Sequence, residues 1–179
     1  MSSSSLFITK YSQTFCLPQE WSLPDSIIYY ITKNPSSAKA HHKSIQTCKY
    51  FFVKNSIIVA DSLHICHYNE GDVIWLENEK EHFQLANVSK KKLWITSEFA
   101  NFAQTPQNIV SSVLPSIYRS EAKSLRLINQ VLSFKQFLFI TSKVESIFVG
   151  DITVTNPNGS IAPLEKLVEA LPTVTDFQM

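Results

Sequence analysis

The hydrophobic pattern of this chain changes near residue 56, and that change constrains the possible folds more than any other feature. Before it, apolar residues recur three and four positions apart, as on one face of an α-helix. After it, short runs rich in β-branched and aromatic residues, such as IIVA and DVIWLE, are divided by turn-forming residues. The pattern predicts an α+β organisation, with an N-terminal extension over residues 1–18, a small helical module over 19–55 and an α/β region over 56–179.

Composition limits the kinds of partner that the chain can attract. Of its 179 residues, 44% are hydrophobic and only 17% are charged, which is ample material for a packed core. Sixteen basic and 15 acidic residues leave a net charge of +1. Because nucleic acids and anionic membranes are attracted mainly by a strong positive charge, we expect no nucleic-acid partner and no membrane partner.

Cysteine usage and the absence of long apolar runs indicate the compartment. The sequence has no charged leader followed by an apolar signal region, and no run approaches the roughly 18 to 20 apolar residues of a membrane span. Its three cysteines, Cys16, Cys48 and Cys66, are odd in number and far apart, which favours reduced thiols over a disulfide framework. We therefore expect a cytoplasmic or nuclear protein.

The first predicted helix begins at Leu23-Pro24-Asp25. A proline in the first turn has no N–H to leave unsatisfied, and an aspartate there favours the positive end of the helix dipole. Asn34-Pro35 ends the helix, because a residue before proline is disfavoured in the helical region. Apolar residues at relative positions 0, 3, 4 and 7 form one stripe, made of Pro24, Ile27, Ile28 and Ile31.

A second helical stretch follows and extends to Asn55. Ser36 or Ser37 can cap it, and apolar residues recur at helical spacing at Ile45, Cys48 and Phe52. A unit of this size buries its own apolar faces poorly, since domains well below about 60 residues are marginal. We therefore expect the helices to use part of their apolar surface against another element or another protein.

These residues resemble the F-box, whose outline is Leu-Pro, a branched-aliphatic helix and a closing Val-Cys-Lys-x-Trp. The corresponding residues here are Leu23-Pro24-Asp25, Ile28, Ile31 and Thr47-Cys48-Lys49-Tyr50-Phe51. The longer stretches EWSLPDSIIYYI, NPSS and IQTCKYFF are similar to a nematode-expanded family of F-box proteins with divergent C-terminal regions. NIVSSVLPSIYR and PLEKLVEALP resemble the same family, so the likeness extends over most of the chain from about residue 19.

The resemblance implies a substrate-recognition adaptor of a Skp-cullin-F-box type ubiquitin ligase, with an unknown protein as its target. Thr47 replaces the usual valine, Phe51 replaces the tryptophan, and His41-His42 stands where the family prefers less polar residues. Carried over position by position, the contacts to the Skp-type linker would be Leu23, Pro24, Ile28, Ile31, Cys48, Lys49 and Phe51. The alternative is a free-standing interaction module, in which the helices only cap the rest of the chain and bury Ile28 and Phe51.

Residues 56–179 combine strand-like runs with helix candidates at a nearly regular spacing. The runs begin at Leu93, Ile117, Ile147 and Val174, with spacings of 24, 30 and 27 residues. The helix candidates run from about 106 to 114 with Thr105 as the expected cap, from the capping-box sequence at Ser133, and along Leu164, Leu167, Val168 and Leu171.

Units of about 27 residues fall in the leucine-rich-repeat range, although the consensus asparagine or cysteine ladder is missing. We expect an irregular leucine-rich-repeat-like region. The alternative is an ordinary α/β domain whose spacing is regular by accident.

Candidate chemistry is sparse. In HICH, residues 64–67, strand alternation puts His64 and Cys66 on one face and His67 on the other, so a single metal ion would not collect all three. No motif fixes Cys66 near His82, and three scattered glycines exclude a phosphate-binding loop. We expect no enzyme activity and no cofactor, with a small metal or thiol enzyme as the remaining alternative. Trp75, Trp94 and Tyr118 are expected to fill the core.

Overall fold

The computed structural model describes residues 22–68, 71–76, 81–84, 92–102 and 105–179. The chain divides into two compact units, Met1–Ile57 and Ile58–Met179. The predicted combination of helices and strands is confirmed, since the fold is mixed α/β with a mostly parallel sheet. The predicted N-terminal extension, residues 1–18, lies outside the described residues.

The described part of the first unit is helical. Its helices are α1 (Asp25–Lys33), α2 (Ala38–Thr47) and α3 (Lys49–Lys54). Pro24 precedes the first turn of α1 as its N-cap residue, one position before the predicted place. Asn34 ends α1 as expected, and its backbone N–H donates to the carbonyl oxygen of Tyr30. Ser37 caps α2, because its hydroxyl oxygen accepts from the Ala40 N–H at 3.1 Å.

Helix α3 contacts both α1 and α2. The buried amide of Asn55, directly after α3, donates to the Thr32 carbonyl oxygen at 2.9 Å. The Lys33 ammonium donates to the Lys54 carbonyl oxygen at 2.8 Å. These two bonds satisfy carbonyl groups at helix ends that have no partner within their own helices. They fix the C-terminal end of α1 to the C-terminal end of α3.

The second unit contains most of the strands. The strands are β1 (Ile57–Tyr68, which begins at the boundary between the units), β2 (Gly71–Leu76), β3 (Glu81–Gln84), β4 (Lys92–Asn101), β5 (Ile117–Ser120), β6 (Ser124–Ile128), β7 (Val131–Ser133), β8 (Ser146–Gly150), β9 (Thr153–Thr155) and β10 (Asp176–Gln178). Its helices are α4 (Ile109–Val113), continued by a 3-10 turn over Leu114–Ser116, α5 (Phe134–Thr141) and α6 (Leu164–Glu169).

The main sheet has the strand order β10-β8-β6-β4-β1-β2-β3, and β5 also pairs with β4. Strands β1, β2 and β3 are antiparallel neighbours, while β4, β6, β8 and β10 run parallel. Tyr68 pairs with Gly71 where β1 leads into β2. Residues 69 and 70, where the predicted turn over residues 69–72 begins, lie outside the described residues.

Alternate residues of the parallel strands form the core. Leu125, Ile147 and Phe177 are aligned across β6, β8 and β10, and Leu127 is aligned with Val149 in the next buried position. The helices contribute buried residues to the same cluster, namely Ile109, Val110, Val113, Phe137, Ile140 and Leu167, and Leu171 joins it just after α6. Fully burying one such side chain contributes about 1.5 to 3 kcal/mol, so this cluster holds the helices against the sheet.

Two consecutive segments of the second unit repeat the same order of elements, namely a strand, a bend, a short strand and a helix. Strand β7 pairs with β9 in parallel, with Leu132 opposite Val154, and a helix follows each of these strands. Asn129 and Asp151, at the bends before β7 and β9, both have left-handed backbones, with φ of 54° and 51°. Asn and Asp tolerate this conformation better than other non-glycine residues. The two segments therefore stack with matching strands and matching bends.

The observed strand positions differ from the predicted spacing. The run at Ile117 forms β5, which pairs with the first half of β4, whereas the next strand across the sheet is β6, beginning at Ser124. The predicted spacing of 24, 30 and 27 residues is therefore wrong for the strands that stack. Strand β6 has the sequence SLRLI, in which an exposed arginine lies between two buried leucines, so no apolar run marks it.

The helix starts of the second unit agree with the prediction at α5 and differ at α4. Ser133 and Gln136 form the predicted capping box, in which each side chain accepts from the other residue's backbone N–H. Thr105 does not cap α4, whose N-cap residue is Asn108. The Thr105 hydroxyl instead donates to the Phe102 carbonyl oxygen at 2.9 Å.

Candidate partner-binding surface

One side of α1 and its lead-in exposes large apolar side chains. Leu23, Ile27, Tyr30 and Ile31 are 47, 45, 66 and 42% exposed. Their relative positions of 0, 4, 7 and 8 place them along one side of a helix. We refer to these four residues as the α1 apolar face. Grouped apolar exposure of this kind is typical of a surface that binds another protein.

The structure separates the predicted contact residues of α1 into two groups. Leu23 and Ile31 lie on the α1 apolar face, and Pro24 is exposed at its start. Ile28 lies on the other side, at 5% exposure, and its carbonyl oxygen accepts from the Thr32 hydroxyl at 2.7 Å. The structure therefore does not bring the Ile28 side chain to the exposed face.

The other three predicted contact residues lie at or in α3. Cys48 is the N-cap residue, and its half-buried sulfur accepts from the Tyr50 N–H at 3.4 Å. Phe51 is half-buried, with its ring edge-on to that of Tyr50 at a centroid distance of 6.0 Å. Lys49 is the first residue of α3, and its side chain lies outside the described atoms. Because α3 contacts α1, these residues belong to the same compact unit as the α1 apolar face.

The sequence-based site omitted Ile27 and Tyr30. Both belong to a helical series with Leu23 and Ile31, and this series was visible in the sequence. The predicted contact residues follow the F-box resemblance, while the apolar stripe predicted from helical spacing contains Pro24, Ile27, Ile28 and Ile31. Both series satisfy helical spacing, and only the position of the neighbouring helices determines which side of α1 remains exposed.

Of the residue types that bind metals, His64 contacts a carboxylate that the sequence analysis does not single out. His64 on β1 and Glu98 on β4 approach to 3.2 Å between Nε2 and Oε2. Within the described ranges no three His, Cys, Asp or Glu side chains gather as a metal site would require. The side chains of His67 and His82 lie outside the described atoms. A histidine–carboxylate pair supplies two polar groups, whereas a structural zinc site needs four ligands.

The three aromatic residues that were expected to fill the core differ in how far they are buried. Trp94 is fully buried, which confirms the expectation for that residue. Tyr118 is half-buried and packs edge-on against Trp94 at a centroid distance of 5.9 Å. Trp75 is exposed on β2, so the expectation is wrong there.

His41, where the F-box pattern prefers a less polar residue, is buried in α2. Its Nε2 lies 3.2 Å from the Ile57 carbonyl oxygen, which can only accept, so Nε2 carries a hydrogen. Burial lowers the pKa of His41 below its ordinary value of 6.5, and the neighbouring His42 lowers it further, while the bond to Ile57 opposes this shift. The folded unit therefore favours neutral His41.

Acidification is expected to destabilise the helical unit through His41. Because the pKa of His41 is lower in the folded state, the unfolded chain takes up a proton first as the pH falls below 6.5. The contribution of neutral His41 to the free energy of unfolding is fully present above pH 6.5, and it is lost as the pH falls towards the lowered pKa. Thermal unfolding followed by far-ultraviolet circular dichroism at about pH 7.5 and about pH 5.5 measures the loss.

Two variants test whether His41 causes this pH dependence of stability. His41→Gln retains an N–H donor for Ile57 without a titrating group, and we expect it to reduce the difference between the two pH values. His42→Gln changes an exposed neighbour, and we expect most of the difference to remain. Equal pH dependence in the wild-type chain and in His41→Gln would contradict the assignment.

No family model, curated protein or solved structure matches this chain. Every helix in the described ranges falls short of the length and apolarity needed to cross a bilayer.

Proposed function

We propose that this chain is a substrate-recognition adaptor of a Skp-cullin-F-box type ubiquitin ligase. The first unit docks on the Skp-type linker, and the second unit binds the protein to be ubiquitinated. The α1 apolar face is the observation that carries the proposal, because four large apolar side chains are exposed together there. The F-box resemblance of residues 23–31 and 47–51 supports the choice of a Skp-type linker as the occupant.

The residues of the first unit have two roles in this proposal. Leu23, Pro24 and Ile31 contact the linker, with Ile27 and Tyr30 beside them on the same face. Ile28 holds α1 from its buried side and does not contact the linker. Of the α3 residues, Cys48 caps the helix and supports it, while Lys49 and Phe51 remain proposed linker contacts. A few well-packed apolar anchors account for most of the energy of a typical interface.

The second unit serves as an irregular leucine-rich-repeat-like region in this proposal. Support comes from the stacking of β6 with β8 and of β7 with β9, and from the left-handed bends at Asn129 and Asp151. Stacked repeats present a continuous surface that suits protein partners.

An adaptor of this kind performs no covalent chemistry and requires no cofactor. It raises the effective concentration of the target protein near a ligase that is held in the same complex. The chain therefore contributes to ubiquitination only by positioning the target, and this requires it to bind two proteins at once. We place this action in the cytoplasm or the nucleus, where the thiols of Cys48 and Cys66 stay reduced.

Retention of the purified chain on an immobilised complex of Skp-type linker and cullin tests the proposal. We expect the wild-type chain to be retained, and we expect excess free linker to elute it. A folded chain that passes through unretained would contradict the proposal.

The alternative, a free-standing interaction module, is favoured by one observation. Ile28 is buried, as expected if α1 caps the rest of the chain, while Phe51 is only half-buried. Under this alternative the α1 apolar face binds a different protein, and the immobilised complex retains no chain.

A further inference from the structure

The strand pairing aligns polar residues on the side of the parallel strands opposite the core. Glu98, Ser124, Ser146 and Asp176 occupy paired positions on β4, β6, β8 and β10. Two residues further along, Arg126 on β6 pairs with Phe148 on β8. We refer to these five polar residues together with Phe148 as the polar sheet face. All six are exposed or half-buried, whereas the residues between them on β6 and β8 are buried.

The Arg126 guanidinium lies over an aromatic ring on this face. The centre of its guanidinium lies 4.9 Å from the ring centroid of Phe148, and the side chain is exposed. Such stacking orients the guanidinium while leaving its N–H groups available to a ligand. On its other side Arg126 pairs with Ala100 of β4, whose side chain is only a methyl group.

Among the residues that the structure describes, Arg126 differs from the other charged groups of the polar sheet face in having no polar partner. Glu98 pairs with His64, and Asp176 accepts a hydrogen bond from the Ser146 hydroxyl at 3.0 Å. Within the described ranges, no carboxylate forms an ion pair with Arg126. A stacked guanidinium without an acidic partner matches the planar, two-oxygen geometry of a carboxylate.

We infer that Arg126 binds an aspartate or glutamate carboxylate of a protein segment that lies across the polar sheet face. Glu98 and Asp176 on the same face repel a densely charged anion, which disfavours nucleic acid and favours a segment of mixed charge. A basic residue of that segment would find Glu98 or Asp176 beside the arginine. The inference rests on the proposed function in one respect, namely that the second unit binds a protein.

Selection of short random peptides displayed on phage, with the full-length chain as bait, tests this inference. We expect the enriched peptides to share an acidic residue at one position. A synthetic copy of the best peptide should lose at least about tenfold in affinity when its acidic residue becomes the amide, since a charged hydrogen bond is lost. Arg126→Gln in the chain should produce a similar loss, and the two changes together should cost little more than either alone.

Arg119→Gln is the matched control. The Arg119 guanidinium also lies over an aromatic ring, at 4.4 Å from the Trp94 centroid, but Glu121 approaches it to 3.7 Å. We expect this variant to bind the peptide as the wild type does, and Arg126→Lys to bind with intermediate affinity because it keeps the charge without the planar fork.

The inference is overturned if no peptide is enriched over the bare support, if the enriched peptides lack a shared acidic residue, or if Arg126→Gln binds them unchanged. Binding of the Skp-type linker is measured separately, through variants of the α1 apolar face. A failure of the peptide experiment would therefore leave the adaptor proposal standing, and a failure of linker binding would leave the role of Arg126 standing.

Discussion

Replacing Ile31 with aspartate is expected to weaken binding of the Skp-type linker by at least about a hundredfold while the chain remains folded. The Ile31 side chain lies on the α1 apolar face and is exposed, so its loss removes little from the interior. In the complex, however, the new carboxylate would be transferred from water into an apolar contact without a partner, which is costly. Calorimetric titration gives the affinity, and circular dichroism of the same sample reports the fold.

Two further aspartate variants separate surface effects from folding effects. Ile28→Asp places a charge at a buried position of the same helix, and we expect it to unfold the helical unit. Tyr29→Asp changes an exposed residue on a different side of α1, and we expect nearly unchanged linker binding. Equal loss of affinity in folded Ile31→Asp and Tyr29→Asp would contradict a contact confined to the α1 apolar face.

Replacing Asn101 with alanine is expected to lower the free energy of unfolding of the second unit by about 2 to 4 kcal/mol. Asn101 is fully buried at the end of β4. Its amide donates to the Ile128 carbonyl oxygen at 2.8 Å and to the Thr105 hydroxyl oxygen at 2.9 Å, and its carbonyl accepts from the Ile128 N–H at 2.9 Å. Alanine would leave several buried polar groups without these bonds. Urea unfolding followed by tryptophan fluorescence measures the change.

Gln107→Ala provides the comparison for this prediction. Gln107 is exposed, and its side chain makes one hydrogen bond, 3.1 Å long, to Asn129. We expect a loss below about 1 kcal/mol, because water can replace a bond at the surface. If the two variants lose equal stability, the buried network around Asn101 does not stabilise the second unit as inferred.

The features predicted correctly from sequence depend on residues close together in the chain. Asn34 ends α1 directly before Pro35, while Ser37 caps α2 and Ser133 with Gln136 caps α5 through bonds spanning three positions. Side chains that bond their own backbone leave a signature that does not depend on the rest of the fold. The end of α1 and the starts of α2 and α5 are therefore predictable from the sequence.

The features that were missed depend on contacts between distant segments. Which side of α1 is buried is determined by its neighbouring helices, so the sequence could not separate the role of Ile28 from that of Ile27. The hydrophobic pattern does not predict strand β6, because the strand is short and carries Arg126 at its centre. Once β6 pairs with β8, Arg126 lies beside Phe148, which is 22 positions away in the chain. The polar sheet face is thus a product of strand register, which local patterns do not encode.

The most direct test of the central claim is calorimetric titration of the folded wild-type chain with a purified Skp-type linker at two temperatures. The account predicts one-to-one binding with a micromolar or smaller Kd, together with a negative heat-capacity change because apolar side chains leave water. A folded chain that produces no binding heat at either temperature would contradict the claim, and the free-standing interaction module would then be the better account.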